Sequence, residues 1–93
     1  MIIGYSVICV NKYNKNDDIL LENKEIYSWE KALKISYFKA LERKINDETR
    51  IMSLVMSNSE EMCKINNEVI IFKLIHKEYN DYTNIKIVAV HDE

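Results

Sequence analysis

A chain of ninety-three residues that holds one glycine, Gly4, and no proline has few means of building tight, special-geometry loops. P-loops, Rossmann fingerprints and other phosphate-cradling turns need glycine's backbone freedom at several positions. Those nucleotide-binding architectures are therefore excluded. Turns must instead come from Asn and Asp, which tolerate left-handed backbone, and these residues cluster at 14–18, 46–47, 66–67 and 80–81.

Composition sets the rest of the frame. Hydrophobic residues are 47% and charged residues 30%, too apolar for a disordered chain and ordinary for a globular one. At this length residues 1–93 form one domain around one core. A net charge of −2 argues against a dedicated nucleic-acid binder and equally against a polyanionic DNA mimic. The apolar start, Met1 to Val10, lacks a basic region before it and a small-residue cleavage site after it. No run approaches the ~20 apolar residues of a membrane span. A cytoplasmic protein is expected, in a host cell if the source is a phage.

Residues 2–13 alternate as a strand with two partly apolar faces, which predicts a central strand covered on both sides. Ile19 to Tyr27 reads as a returning, more polar strand, although a loop or helix there is left open. Ser28 is a good N-cap for a helix from Trp29 to Ile45, with Glu30 in the first turn. Leu33, Tyr37, Leu41 and Ile45 recur every four positions and define the expected buried stripe. Thr49 to Ser57 reads as a strand. Ser57 and Glu60 match a capping box, so Asn58 to Ile65 reads as a short helix with Met62 and Ile65 inward, or as a loop. Val69 to Tyr79 and Tyr82 to His91 read as a hairpin turning at Asn80-Asp81, with Tyr79 paired to Tyr82. Ile70, Phe72 and Leu74 then lie on the core face, and Ile71, Lys73, Ile75, Lys77 and Tyr79 on the other. The expected fold class is α+β: an antiparallel sheet of four or five strands, one long amphipathic helix packed on one face, and a short second helix.

Catalytic chemistry is in short supply. In that register His76 and His91 lie roughly 20 Å apart at about 3.3 Å per residue, too far to share a metal or act as an acid–base pair. Cys9 and Cys63 lack the CxxC spacing of metal or redox work. Glu60 and Glu61 beside Cys63 would raise a thiol's pKa, the wrong direction for a nucleophile. Asp17-Asp18 and Glu60-Glu61 are explained by turn and helix-start hydrogen bonding. No enzyme, no metal and no cofactor are expected.

Two surfaces are left over. On the helix, Ile35 points about 160° away from Tyr37 at 100° per residue, with Phe38 on its shoulder and Lys31, Lys34, Lys39 and Glu42 around them. An apolar anchor rimmed by charge is the anatomy of a protein-binding hot spot. On the hairpin, Ile71, Ile75, Val88, Val90, Tyr79 and Tyr82 make a face too apolar for bare solvent, unless lysine stems lie over it. The expected partner-binding set is Ile35, Phe38, Lys31, Glu42, Ile71, Ile75, Tyr79, Tyr82 and Val88. The partner is a host protein or a second copy of the chain. The alternative is a single-stranded nucleic-acid platform of Tyr79 and Tyr82 with Lys73, Lys77 and Lys86.

The stretch Ile26-Tyr27-Ser28-Trp29-Glu30-Lys31-Ala32-Leu33 resembles a pattern in small phage and mobile-element proteins, a hairpin ending in an aromatic-Ser pair before a charged-charged-Ala helix start. Ile, Lys and Asn supply 35 of the 93 residues and Lys outnumbers Arg eleven to two, a bias that points to an AT-rich genome. In size and composition the chain is similar to phage anti-CRISPR and other anti-defence proteins. That resemblance implies a non-enzymatic inhibitor that binds a host defence nuclease. The dense carboxylate clusters of DNA-mimicking inhibitors are absent.

Overall fold

The computed structural model describes residues 1–11, 19–20, 25–47, 49–53, 58–76 and 81–92. In chain order the elements are β1 (Ile2–Asn11), β2 (Ile19–Leu20), α1 (Trp29–Asp47), β3 (Thr49–Ser53), α2 (Ser59–Asn66), β4 (Glu68–His76) and β5 (Asp81–His91). The strands form one antiparallel sheet in the order β2-β1-β5-β4-β3. The class is α+β, with four full strands and a two-residue edge strand.

β1 lies inside the sheet, as its two apolar faces predict. Its outer edge meets β2 at Ile8 and Cys9. Farther along, Tyr5 and Tyr27 exchange both backbone hydrogen bonds, at 2.9 and 2.8 Å. The return of the chain along β1 is thus present at both places where it is described. Residues 12–18 and 21–24 lie outside the described residues.

α1 begins where the sequence predicts. The Lys31 amide donates to Ser28 Oγ at 3.3 Å and the Ala32 amide to the Ser28 carbonyl at 2.9 Å, satisfying orphan N–H groups of the first turn. Its buried stripe, however, is not the expected one. Ala32, Ser36 and Ala40 are fully buried, while Tyr37 is 53% exposed. Small residues at i, i+4 and i+8 let the helix axis approach the sheet closely, so the bulky residues are displaced to its flanks. Tyr37 lies on one flank, its ring 6.3 Å from that of Phe72. Ile35 lies on the other, half-buried and packed against the core. The expectation of Ile35 as an outward anchor is therefore corrected. Ser36 meets its burial cost by donating its hydroxyl to the Ala32 carbonyl at 2.8 Å, the back-bond available to a mid-helix Ser.

α2 also departs from expectation in its facing. Ser59 and Cys63 are buried, while Met62 is 45% and Ile65 74% exposed. Asn58 occupies the N-cap with no side-chain cap bond, and Asn67 closes the helix in the left-handed conformation at φ 66°. The expected capping residue Ser57 lies outside the described residues. α2 and the turn after it are held to β5 at two points: Cys63 Sγ lies 3.5 Å from the Ile87 carbonyl, and the Ala89 amide donates to the Asn67 carbonyl at 2.8 Å.

The β4–β5 hairpin is paired in a different register from the expected one. His76 faces Asp81, Ile75 faces Tyr82, and Phe72 faces Ile85. The ladder is displaced by four residues from the one that a two-residue turn at Asn80-Asp81 sets; residues 77–80 lie outside the described residues. An even displacement keeps each side chain on its face. A β-bulge between Ile70 and Phe72 alters the facing of the first half of β4. With one extra residue on β4, Ile71 and Phe72 are both buried in the core, while Ile70 pairs with Lys86 on the opposite face. The expected roles of Ile70 and Ile71 are thus exchanged, and Ile71 is a core residue. The core is Tyr5 and Val7 from β1, Ile71, Phe72 and Leu74 from β4, and Ile85, Ile87 and Ala89 from β5, closed by Ala32 and Ala40 of α1 and Cys63 of α2.

Candidate protein-binding surface

Both helices cover the same side of the sheet. Tyr5, a core-face residue of β1, meets Trp29 of α1 edge-on at 5.1 Å. Burial and the neighbouring Glu60 and Cys63 of α2 push the Tyr5 hydroxyl's pKa upward. The other side of β1, β5, β4 and β3 has neither helix over it.

Cross-strand register lays out that open side row by row. Ser6, Val88 and Glu68 lie abreast; next come Ile8, Lys86 and Ile70; then Val10, Asn84, Lys73 and Met52; then Tyr82, Ile75 and Arg50. Gly4 and Val90 extend it at one corner, where the Ile26 side chain occupies the space a Gly4 Cβ would fill. Ile8, Val10, Ile70, Ile75, Val88 and Val90 are all only half-buried, although they lie at the middle of a sheet. The two lysines thread between them. Lys86 reaches Glu68, Nζ to Oε1 3.2 Å, with its stem between Ile8 and Ile70. Lys73 holds its Nζ 4.4 Å from the centroid of the Tyr82 ring. The aliphatic stems thus shield part of the apolar row by snorkelling over it. Neither helix covers this second face of β1; there the Ile26 side chain meets Gly4 and the Ser6 hydroxyl donates to the Glu25 carbonyl at 3.3 Å.

Of the sequence-predicted set, Ile75, Tyr82 and Val88 share this face with Lys73 and Lys86. Phe38, Lys31 and Glu42 lie on the solvent side of α1, across the molecule. Phe38 is 66% exposed; its ring lies 6.3 Å from that of Tyr37, in an edge-on arrangement. Lys31 Nζ lies 5.4 Å from the Tyr27 ring centroid, and Glu42 pairs with Lys39 at 3.9 Å. Ile71 belongs to the core, and Ile35 is half-buried against it. Tyr79 and Lys77 lie outside the described residues. Sequence reasoning missed Ile8, Val10, Ile70, Arg50 and Met52. The alternation within residues 2–13 carried the signal for Ile8 and Val10, but it does not say whether a second apolar face is covered or bare.

Burial raises the Cys63 thiol from 9.0 to about 11, and burial likewise raises Cys9. Both thiols are therefore protonated near pH 7. The His76 ring nitrogen lies 3.3 Å from Thr83 Oγ1 and that of His91 2.9 Å from Asn67 Oδ1, at opposite ends of β5. No three His, Cys, Asp or Glu side chains converge on a metal site among the described residues, and no described helix is long and apolar enough to cross a membrane. A shallow groove of about 450 Å³ runs between the start of β1 and residues 26–28, with Lys64 at its rim. That lysine is taken up by Glu61 and Glu60, at 3.5 and 3.9 Å.

Comparison with known proteins returns no match to a family model, to a curated protein or to a solved structure.

Proposed function

We propose that this chain is a non-enzymatic protein-binding module whose contact surface is the open face of the sheet. One observation carries the reading: both helices pack on one side, leaving a half-buried apolar row on the other. An antiparallel sheet tolerates one solvated face when that face alternates to polar residues. Here about half of the outward positions of β1, β4 and β5 are Ile or Val, namely Ile8, Val10, Ile70, Ile75, Val88 and Val90. An uncovered face carrying this many Ile and Val side chains, interleaved with charge, marks an interaction site. Phage-type inhibition of a host defence nuclease by direct binding is the biological role we assign to it, on the resemblance in size, mild acidity and composition.

The competing reading, a single-stranded nucleic-acid platform, draws on the shared face of Tyr82, Lys73 and Lys86. Such platforms need open ring faces for base stacking and cations free to track phosphates. One face of Tyr82 already carries the Lys73 ammonium, and Lys86 is paired with Glu68. Protein binding is the better-supported reading.

The test is a tagged pull-down from host lysate, with and without nuclease, using wild type, Ile75→Glu and Phe38→Glu. The expected result is a discrete protein partner that survives nuclease, persists with Phe38→Glu and disappears with Ile75→Glu, while circular dichroism shows all three folded. Loss with Phe38→Glu alone would transfer the surface to α1. Partners that vanish with nuclease would favour the nucleic-acid platform.

A further inference from the structure

The charges on the open face are distributed unlike those of the chain as a whole. Its described charged groups are Arg50, Lys73 and Lys86 against Glu68, three cations to one carboxylate, on a chain of net charge −2. The single carboxylate is taken up by Lys86. Lys73 and Arg50 have no carboxylate beside them among the described residues. Register places them on diagonal positions of β4 and β3, since Lys73 faces Met52 while Arg50 faces Ile75. Lys73 turns its ammonium to the Tyr82 ring on β5, while Arg50 is paired with Ile75 from β3, so the two cations flank Ile75 on its β5 and β3 sides. Bringing an apolar surface down on them would strip their water, a cost that only opposite charge offsets.

We infer that the open face takes a polypeptide whose contact surface alternates carboxylate and apolar side chains, the carboxylates meeting Lys73 and Arg50 and the apolar groups meeting Ile75, Val10 and Met52. The inference rests on the protein-binding reading above and names the chemistry of the partner. A second copy fits poorly, because it brings the same excess of cations and a Glu68 already engaged.

The probes are a short fluorescein-labelled peptide alternating Glu with Val, its counterpart with Lys for Glu, and a labelled oligothymidylate, each titrated by fluorescence anisotropy. Wild type is expected to bind the Glu peptide and not the Lys peptide, more weakly as salt rises. Lys73→Met and Arg50→Met are each expected to weaken that binding about tenfold, and Ile75→Glu to remove it, with thermal melts showing every variant folded. If the Glu and Lys peptides bind equally and Ile75→Glu removes both, the acidic partner is wrong and the apolar contact face stands. If neither peptide binds and Ile75→Glu leaves capture from lysate unchanged, both readings fall. Tighter binding of oligothymidylate than of the Glu peptide overturns both in favour of nucleic acid.

Discussion

The Lys73 ammonium lies over the Tyr82 ring, 4.4 Å from its centroid, across the β4–β5 ladder. The two residues are diagonal neighbours, since Tyr82 faces Ile75 and Lys73 faces Asn84. Cation–π contacts at partly exposed sites contribute about 0.5–1 kcal/mol. A double-mutant cycle with Lys73→Met and Tyr82→Leu, read by urea unfolding, should return a coupling of that size. Zero coupling would mean that the two side chains are merely adjacent.

The close approach of α1 to the sheet makes its small stripe sensitive to volume. Ser36→Leu should destabilise the fold by about 1–3 kcal/mol through overpacking, whereas Phe38→Ser on the opposite side of the helix should stay within about 0.5 kcal/mol. Thermal melts of the two variants check this. A larger loss from Phe38→Ser than from Ser36→Leu would refute the facing of the helix.

Gly4 has no room for a side chain. A Cβ there would strike the Ile26 side chain and come within 3.0 Å of the Tyr27 carbonyl oxygen. Gly4→Ala should therefore lower stability by about 1–3 kcal/mol, and Ile26→Ala should recover part of that loss in the double variant. Strict additivity of the two substitutions would show that they do not meet.

Thr49 is buried and its Oγ1 finds no hydrogen-bond partner among the described residues. Removing a hydroxyl that is desolvated without compensation should help rather than harm. Thr49→Val is expected to gain about 1 kcal/mol, seen as a rise in Tm of about 4–8 °C for a domain of this size. A fall in Tm would place an unseen donor at that oxygen.

Alkaline pH should expose the buried thiol. The Cys63 value rises on folding from 9.0 to about 11, so its contribution is complete below pH 9 and lost as pH climbs through 11. Tyr5, raised from 10.0 by burial, acts with the same sign from pH 10 upward. Urea midpoints between pH 8 and pH 11 should fall more steeply for wild type than for Cys63→Ala. Equal slopes would mean that the thiol stays water-accessible.

Most of the architecture was legible because it rests on local signals. Ser28 marks the start of α1, Asn66-Asn67 the end of α2, and the two-sided apolar pattern of residues 2–13 an interior strand. The misreadings share a physical cause. Tyr37 outranks Ser36 in hydrophobicity, so periodicity places the buried stripe on large residues, but close helix–sheet packing selects small ones. Ile70 and Ile71 are chemically identical neighbours; only the bulge, a property of the paired ladder, decides which enters the core. The open face was half legible for the same reason. Ile75, Val88 and Tyr82 announce an apolar outward row in one hairpin, whereas Ile8 and Val10 join it only through the pairing of β1 with β5.

That pairing also governs how the molecule comes into being. β1 and β5 are partners from Ile2 facing His91 to Asn11 facing Thr83, and the Met1 amino group reaches Asp92 at 3.2 Å. On the ribosome, β1 emerges before the other elements and must wait for all of them before its central ladder can close. Until then two Ile- and Val-rich strands stand with unsatisfied edges, so newly made chains are most vulnerable to aggregation in that interval. Productive assembly therefore depends on closing the longest loop the topology contains.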